Sequence, residues 1–153
     1  MAMTMQGEVS LPADRDTVWA ALNDPIALKA CIPGCQELEK VSDTEFQATA
    51  KISVGPVKAT FKGSVNLTDL NPPDSYTIIG EGQGGVAGWA KGGAKVRLED
   101  VEVGTKLVYD VEANVGGKIA QLGGRLINGV AKKYADEFFA NFAKILSPAK
   151  APA

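Results

Sequence analysis

The sequence predicts an α+β domain in which an antiparallel sheet of about seven strands wraps around a long C-terminal helix. Three observations predict it. Apolar residues recur with a period of two from Phe46 to Val115, as in strands with one covered and one wet face. From Ile119 to Ile145 the period changes to three or four, that of an amphipathic helix. Between the first strand and the rest, aspartates and prolines stand where short helices begin. At 153 residues the chain reads as one domain over 1–146, followed by a flexible Pro/Ala tail over 147–153.

The first strand is the alternation of Met3, Met5, Gly7, Val9 and Leu11 with polar neighbours. PADRDTVWAALND follows, with an acidic first turn and Val18, Ala21 and Leu22 at helical spacing. Asp24 is an N-cap and Pro25 an N1 residue for a second short helix, which Pro33-Gly34 stops. Inward columns then run through Phe46 to Val54, Val57 to Leu67, Tyr76 to Gly84, Ala90 to Leu98 and Leu107 to Val115. Gly55-Pro56, NPPDS and Glu102–Thr105 mark turns between them. A single long helix is expected from about Lys118 to Leu146, carrying Ile119, Leu122, Leu126, Val130, Tyr134, Phe138, Phe142 and Ile145 on its covered face.

The stretch EGQGGVAGWAKGG formally matches a dinucleotide fingerprint at Gly82, Gly84 and Ala87. That fingerprint needs a helix after the glycines to hold a pyrophosphate, and here a period-two strand follows. The stretch therefore reads as a β-hairpin with Trp89 at its tip. Its inward columns shrink from Leu98 and Val96 to Ala94, Gly92 and Ala90, and from Tyr76 and Ile78 to Gly80, Gly82 and Gly84. Interiors are packed to about 0.74 density, so this missing volume needs an occupant. Two readings fit: the helix packs very close to a smooth sheet, or the sheet leaves a cavity for a ligand. Tyr76 and Tyr109 are the only evident hydrogen-bonding side chains on the inward columns, and none of those positions is charged. A general acid or base has no place there.

Composition narrows the chemistry. The chain has no histidine, which removes Ser-His-Asp and Cys-His catalysis and histidine metal ligation. Cys31 and Cys35, in CIPGC, match neither C-x-x-C nor a zinc knuckle; structural free thiols are expected, with a redox-active pair as the alternative. A net charge of −2 gives no general attraction to nucleic acid. The start, MAMTMQGEVS, lacks a signal-peptide core and no run is long enough for a membrane span, so a cytoplasmic location is expected.

The order of strand, two short helices, about six strands and a long helix resembles the helix-grip domains of the START-like, birch-pollen-allergen-like superfamily. Within it, VWAALNDP, CIPGC, ISVGPVKATFKGSVNL, PPDSYTIIGEGQGGVAGWAKGGAKVRL, GTKLVYDVEANVGGKIAQLGGRLI and FFANF resemble the CoxG family of carbon monoxide dehydrogenase subunits over nearly the whole chain. The resemblance implies a hydrophobic cavity and association with an aerobic, molybdenum-containing carbon monoxide dehydrogenase, or a related hydroxylase, at the inner face of the cell membrane. It implies an accessory subunit that couples the enzyme to the respiratory quinone pool, with catalytic cofactors held by other subunits. Longer members continue into a membrane-associating segment, whereas this chain stops at SPAKAPA.

The expectation is thus a non-enzymatic carrier for a hydrophobic small molecule. No cofactor is tightly bound, and an isoprenoid quinone is the carried ligand. The expected ligand-binding residues are Phe61, Tyr76, Ile78, Gly82, Gly84, Trp89, Gly92, Ala94, Val96, Tyr109, Val111, Leu122 and Leu126. A small hydrolase or cyclase, and a docking subunit without ligand, are the competing readings, since fold does not decide function. Trp89 is read either as part of a mobile cavity mouth that touches the membrane or the enzyme, or as a residue folded back on the helix.

Overall fold

A computed structural model describes residues 2–146 of the chain; the tail expected over 147–153 lies outside the described residues. The elements, in order, are β1 (Ala2–Leu11), α1 (Arg15–Leu22), α2 (Pro25–Cys31), β2 (Cys35–Ser42), β3 (Glu45–Val54), β4 (Val57–Asn71), β5 (Ser75–Gln83), β6 (Trp89–Asp100), β7 (Thr105–Gly116) and α3 (Gly124–Leu146). The strands form one antiparallel sheet in the order β1-β7-β6-β5-β4-β3-β2. Hairpins join β2 through β7 in sequence, and the α1–α2 connection carries the chain from one sheet edge to the other.

The two short helices begin where their capping residues place them. Asp14 accepts a hydrogen bond from the Thr17 amide at 2.8 Å, and Asp24 accepts one from the Ile26 amide at 2.9 Å. Each satisfies a backbone donor that the first helical turn leaves free. Pro25 then occupies the first turn of α2, where its missing N–H costs nothing.

Strand β2 has no period-two signal in its sequence. Of CQELEKVS, Glu37, Glu39, Lys40 and Val41 are exposed, and Leu38 is half-buried. As the edge strand it has one bonded neighbour, and its charges discourage further edge pairing.

The final helix is shorter than the sequence spacing predicts. Residues Lys118–Leu122 form a 3-10 turn, and α3 starts at Gly124. The turn is bracketed by Gly117 at φ +82° and Gly123 at φ +96°, backbone conformations that a Cβ disfavours. The apolar stepping passes through this break because Ile119 and Ile127 join the same small core, whereas Leu126 and Ile145, expected on the covered face, are 37% and 45% exposed.

That interior has two centres. A larger core gathers Leu11, Val18, Leu22, Phe46, Leu67, Tyr76, Leu98, Leu107 and Phe142. A smaller one joins Val54, Ala87, Val115, Ile119 and Ile127 beyond the far end of the sheet's glycine-rich columns. The space between sheet and helix lies between them.

Candidate functional site

An apolar chamber of about 320 Å³ lies between the inner face of the sheet and α3. The sheet contributes Met5, Leu38, Phe46, Val65, Leu67, Tyr76, Ile78, Ala94, Val96, Leu107, Tyr109 and Val111. Leu22, Leu28 and Ile32 close it from the short helices, and Ala135, Phe138 and Phe139 from α3. Its volume falls in the range of small-molecule sites, roughly 300–1,000 Å³. No lining side chain is charged.

Aromatic rings hold the helix against this wall. Tyr109 stacks on Phe139 with ring centroids 5.4 Å apart, Phe139 meets Phe138 edge-on, and Phe138 stacks on Phe142 at 5.5 Å. Trp19 of α1 meets Tyr76 edge-on at 5.1 Å. These offset and T-shaped arrangements suit the ring quadrupoles. They also keep the helix backbone away from the sheet centre.

The only hydrogen-bonding side chains on the wall are Tyr76 and Tyr109. Neither hydroxyl has a hydrogen-bond partner among the described residues. Tyr76 is 5% exposed, and burial raises its phenol pKa well above the ordinary value of 10.0. No buried side-chain polar atom is sealed without a partner among the described residues, so the Tyr76 hydroxyl reaches open space. The Tyr109 ring lies over Gly7 of β1, where a Cβ would come 2.5 Å from its hydroxyl oxygen. Gly7 therefore makes the room that Tyr109 occupies.

The chamber continues into a shallow trough of about 340 Å³, sharing Val65, Ile78, Ala94 and Val111 with it. Gly63, Gly80, Gly82, Ala90 and Gly92 floor this trough. The glycines there do more than leave volume. A Cβ at Gly92 would lie 2.6 Å from Ala113 Cα and against the Glu112 carbonyl oxygen, and one at Gly63 would lie 3.1 Å from Gly82 Cα. Neighbouring strands approach so closely at these points that only glycine fits, which allows the sheet to curve around α3. The helix glycines behave differently: a Cβ at Gly124 or Gly129 would meet nothing within 4 Å. Close packing of helix glycines on sheet glycines is not what the small residues provide.

The structure brings together Tyr76, Ile78, Ala94, Val96, Tyr109 and Val111 of the residues expected at the site, all on the chamber wall. Gly82 and Gly92 lie in the trough. Phe61 and Leu122 pack instead against the smaller core, and Gly84 sits over the Phe61 ring. Leu126 is 37% exposed and lies over Gly55, away from the chamber. Trp89 is not at a hairpin tip. The tip is the glycine-bounded turn Gly84–Gly88, and Trp89 opens β6 with its side chain on the outer face, over Gly116.

Sequence reasoning missed the contribution of Leu28 on α2 and of Ile32 just past its end, and the second aromatic of the Phe138–Phe139 pair. Two adjacent phenylalanines exceed what one covered stripe needs, and that excess is the readable signal. Cys31 is buried, Cys35 is half-buried, and both are free thiols with pKa values raised by burial. The Cys31 carbonyl accepts a hydrogen bond from Asn141 at 3.1 Å, tying α2 to α3.

A family model for CoxG, a subunit of carbon monoxide dehydrogenase, matches residues 7–147. A conserved protein from Geobacillus kaustophilus of known crystal structure is 32% identical, with a TM-score of 0.88 over 94% of this chain and 95% of that one. Ara h 8.0201 is similar at 19% identity and a TM-score of 0.66, covering 97% of this chain and 100% of its own. The ZhuI aromatase/cyclase from Streptomyces sp. R1128 is similar at 12% identity and a TM-score of 0.68, covering 95% and 94%. At those identities the likeness is one of fold, the helix grip of START-like domains. No curated protein matches the chain.

Proposed function

Because the chain belongs to the CoxG family of carbon monoxide dehydrogenase subunits, we propose that it is a non-catalytic accessory subunit whose chamber carries a lipid-like molecule, an isoprenoid quinone. In this reading it serves an aerobic molybdenum-containing carbon monoxide dehydrogenase, or a related hydroxylase, at the cytoplasmic face of the membrane. It passes reducing equivalents toward the quinone pool by delivering and withdrawing the quinone itself.

The observation that carries the reading is the chamber wall: apolar throughout, with two unpartnered tyrosine hydroxyls. Polar groups in protein interiors are normally hydrogen-bonded, so the hydroxyl of Tyr76, a 5% exposed residue of this wall, suits a ligand that brings an acceptor. The half-buried Tyr109 adds a second hydroxyl without a protein partner among the described residues. A quinone has two carbonyl acceptors on a flat ring, and its isoprenoid tail suits the aliphatic remainder of the wall. The trough extends the apolar surface along the sheet for a tail longer than the chamber holds. The Tyr76 phenol, whose ordinary pKa of 10.0 burial only raises, is a protonated donor throughout the neutral range.

Hydrolytic or cyclising chemistry in this chamber is disfavoured by the same wall. It presents no carboxylate, amine or imidazole within reach of a substrate proton.

The test is organic extraction of the purified protein followed by mass spectrometry, paired with titration of the emptied protein by quinones of increasing tail length. Trp19 packs on Tyr76 at the chamber wall, so its fluorescence should be quenched as the quinone ring enters. Recovery of no lipid, together with no saturable quenching, would remove the carrier reading.

A further inference from the structure

The surface outside the chamber is divided into two poles of opposite charge. One pole holds the starts of α1 and α2 and the β2–β3, β4–β5 and β6–β7 turns, with Asp16, Asp24, Asp43 and Glu102 in no ion pair among the described residues and Asp74 and Asp100 both paired to Arg15. The other holds the β3–β4 and β5–β6 turns, the 3-10 turn after β7 and the start of α3. Around this second pole stand Lys51, Lys58, Lys62, Lys91, Lys118 and Arg125, all exposed. None of them is in an ion pair among the described residues. Glu81, opposite Lys91, and Glu112, opposite Gly93, are the carboxylates that come near in register.

The basic pole also projects apolar side chains. Val86, at the apex of the β5–β6 turn, is 91% exposed, while its neighbour Ala87 is 3% exposed and anchored in the smaller core. Leu126 lies over the β3–β4 turn at Gly55, beside exposed Pro56. A Cβ at Gly88 would lie 3.2 Å from Gly117 Cα, which puts the Val86 turn against the segment that carries Lys118. Val54, Ala87, Ile119 and Ile127 bind these tips to one another from beneath. The result is a rigid end with fixed apolar tips inside a ring of free cations.

We infer that this pole is a docking surface for an anionic phospholipid bilayer. Charge complementarity selects the partner: the cations face lipid phosphates, and the acidic pole is turned away by repulsion. Separate apolar tips at different turns suit shallow insertion among headgroups better than they suit a groove for a peptide. The inference rests on the carrier reading for the choice of a lipid surface over an acidic polypeptide. It adds the orientation: Gly82 and Ala90, cross-strand partners on the trough floor, belong to the end of the sheet turned toward the bilayer.

The experiment is vesicle flotation of the full chain, with phosphatidylcholine vesicles and with phosphatidylcholine–phosphatidylglycerol vesicles. Binding should appear with the anionic vesicles, fall with added salt, and weaken on the order of fivefold for each cation neutralised. The double variant Lys58→Glu/Arg125→Glu should lose it, and Val86→Asp should weaken it, both with unchanged melting temperature. Glu102→Lys at the opposite pole should retain it. Equal binding to both vesicle types, or flotation of the double variant like the unsubstituted protein, would overturn the inference. Capture by polyglutamate without capture by anionic vesicles would overturn it in favour of an acidic polypeptide. Mass spectrometry of the same preparations separates the two readings: lipid recovered from protein that does not float leaves the carrier standing and removes only the docking surface.

Discussion

The indole of Trp89 lies across Gly116, its cross-strand partner, on the face of the sheet turned away from α3. A Cβ at Gly116 would fall among the indole atoms Cε2, Nε1 and Cζ2. The ring covers a stretch of backbone that glycine leaves bare at the end of β7, an aromatic shielding of a strand glycine. At 38% exposed, Trp89 buries much of its ring there. Trp89→Ala should therefore lower stability by about 1–2 kcal/mol, or about 2–8 °C in melting temperature. Gly116→Ala should lower it too, because the indole must move. An unchanged melting curve for Trp89→Ala would mean that the ring contributes nothing at Gly116 and is free to act elsewhere.

The same residue shows where the sequence stops being informative. Period-two alternation identifies which strand residues share a face, and it puts Tyr76, Ile78, Ala94, Val96, Tyr109 and Val111 together on the chamber wall. Alternation does not say how far along a column the cavity extends. Phe61 and Leu122 lie beyond it, in the smaller core, because the β3–β4 turn and the 3-10 turn fold inward there. The break at Gly123 is hidden because apolar spacing passes through it unchanged, although the Gly123-Gly124 pair carries the stop signal. Strand β2 is silent because an edge strand with both faces largely wet needs no alternation. The overall fold is legible because long columns and one long stripe decide it, and no single turn does.

The two cysteines should react very differently. Cys31 is 0% exposed and Cys35 half-buried, and desolvation raises both thiol pKa values; for Cys35 the neighbouring Lys29 partly offsets this. In native protein a small maleimide should modify Cys35 slowly and leave Cys31 untouched. After denaturation without reductant both should titrate. A count of zero under those conditions would establish a disulfide and reopen a redox role for CIPGC.

Tyr76 gives the fold a distinct alkaline limit. Its folded-state pKa is raised by burial, so the folded chain holds the phenolic proton to higher pH than the unfolded chain does. The stability linked to this group is fully present below the unfolded value of 10.0. It is lost as pH rises from there toward the folded value, because unfolding then releases a proton. Urea midpoints measured from neutral pH upward should fall more steeply above that value in the native sequence than in Tyr76→Phe. At neutral pH Tyr76→Phe should be as stable or slightly more stable, since an unpartnered hydroxyl is removed, while quinone affinity should drop by about fivefold to tenfold for the lost hydrogen bond. Parallel alkaline curves for the two proteins would show that the phenol is solvated in the native state.

Volume in the chamber and volume in the trough floor should have separable effects. Ala94 lines both the chamber and the trough, so Ala94→Phe adds a ring where the cavity is open. It should block quinone-induced quenching of Trp19 while changing stability by about 1 kcal/mol or less. Gly92 shares the trough but not its freedom, because the neighbouring backbone of Glu112 and Ala113 leaves no room for even a Cβ. Gly92→Leu must therefore push β6 and β7 apart, at about 2–3 kcal/mol, and its ligand loss would report a distorted sheet. The informative pair is binding against melting temperature. Ala94→Phe that melts normally and still binds the quinone would place the ligand outside the chamber. Gly92→Leu that melts normally would show that the sheet's curvature does not depend on the close approach of β6 to β7 at this point.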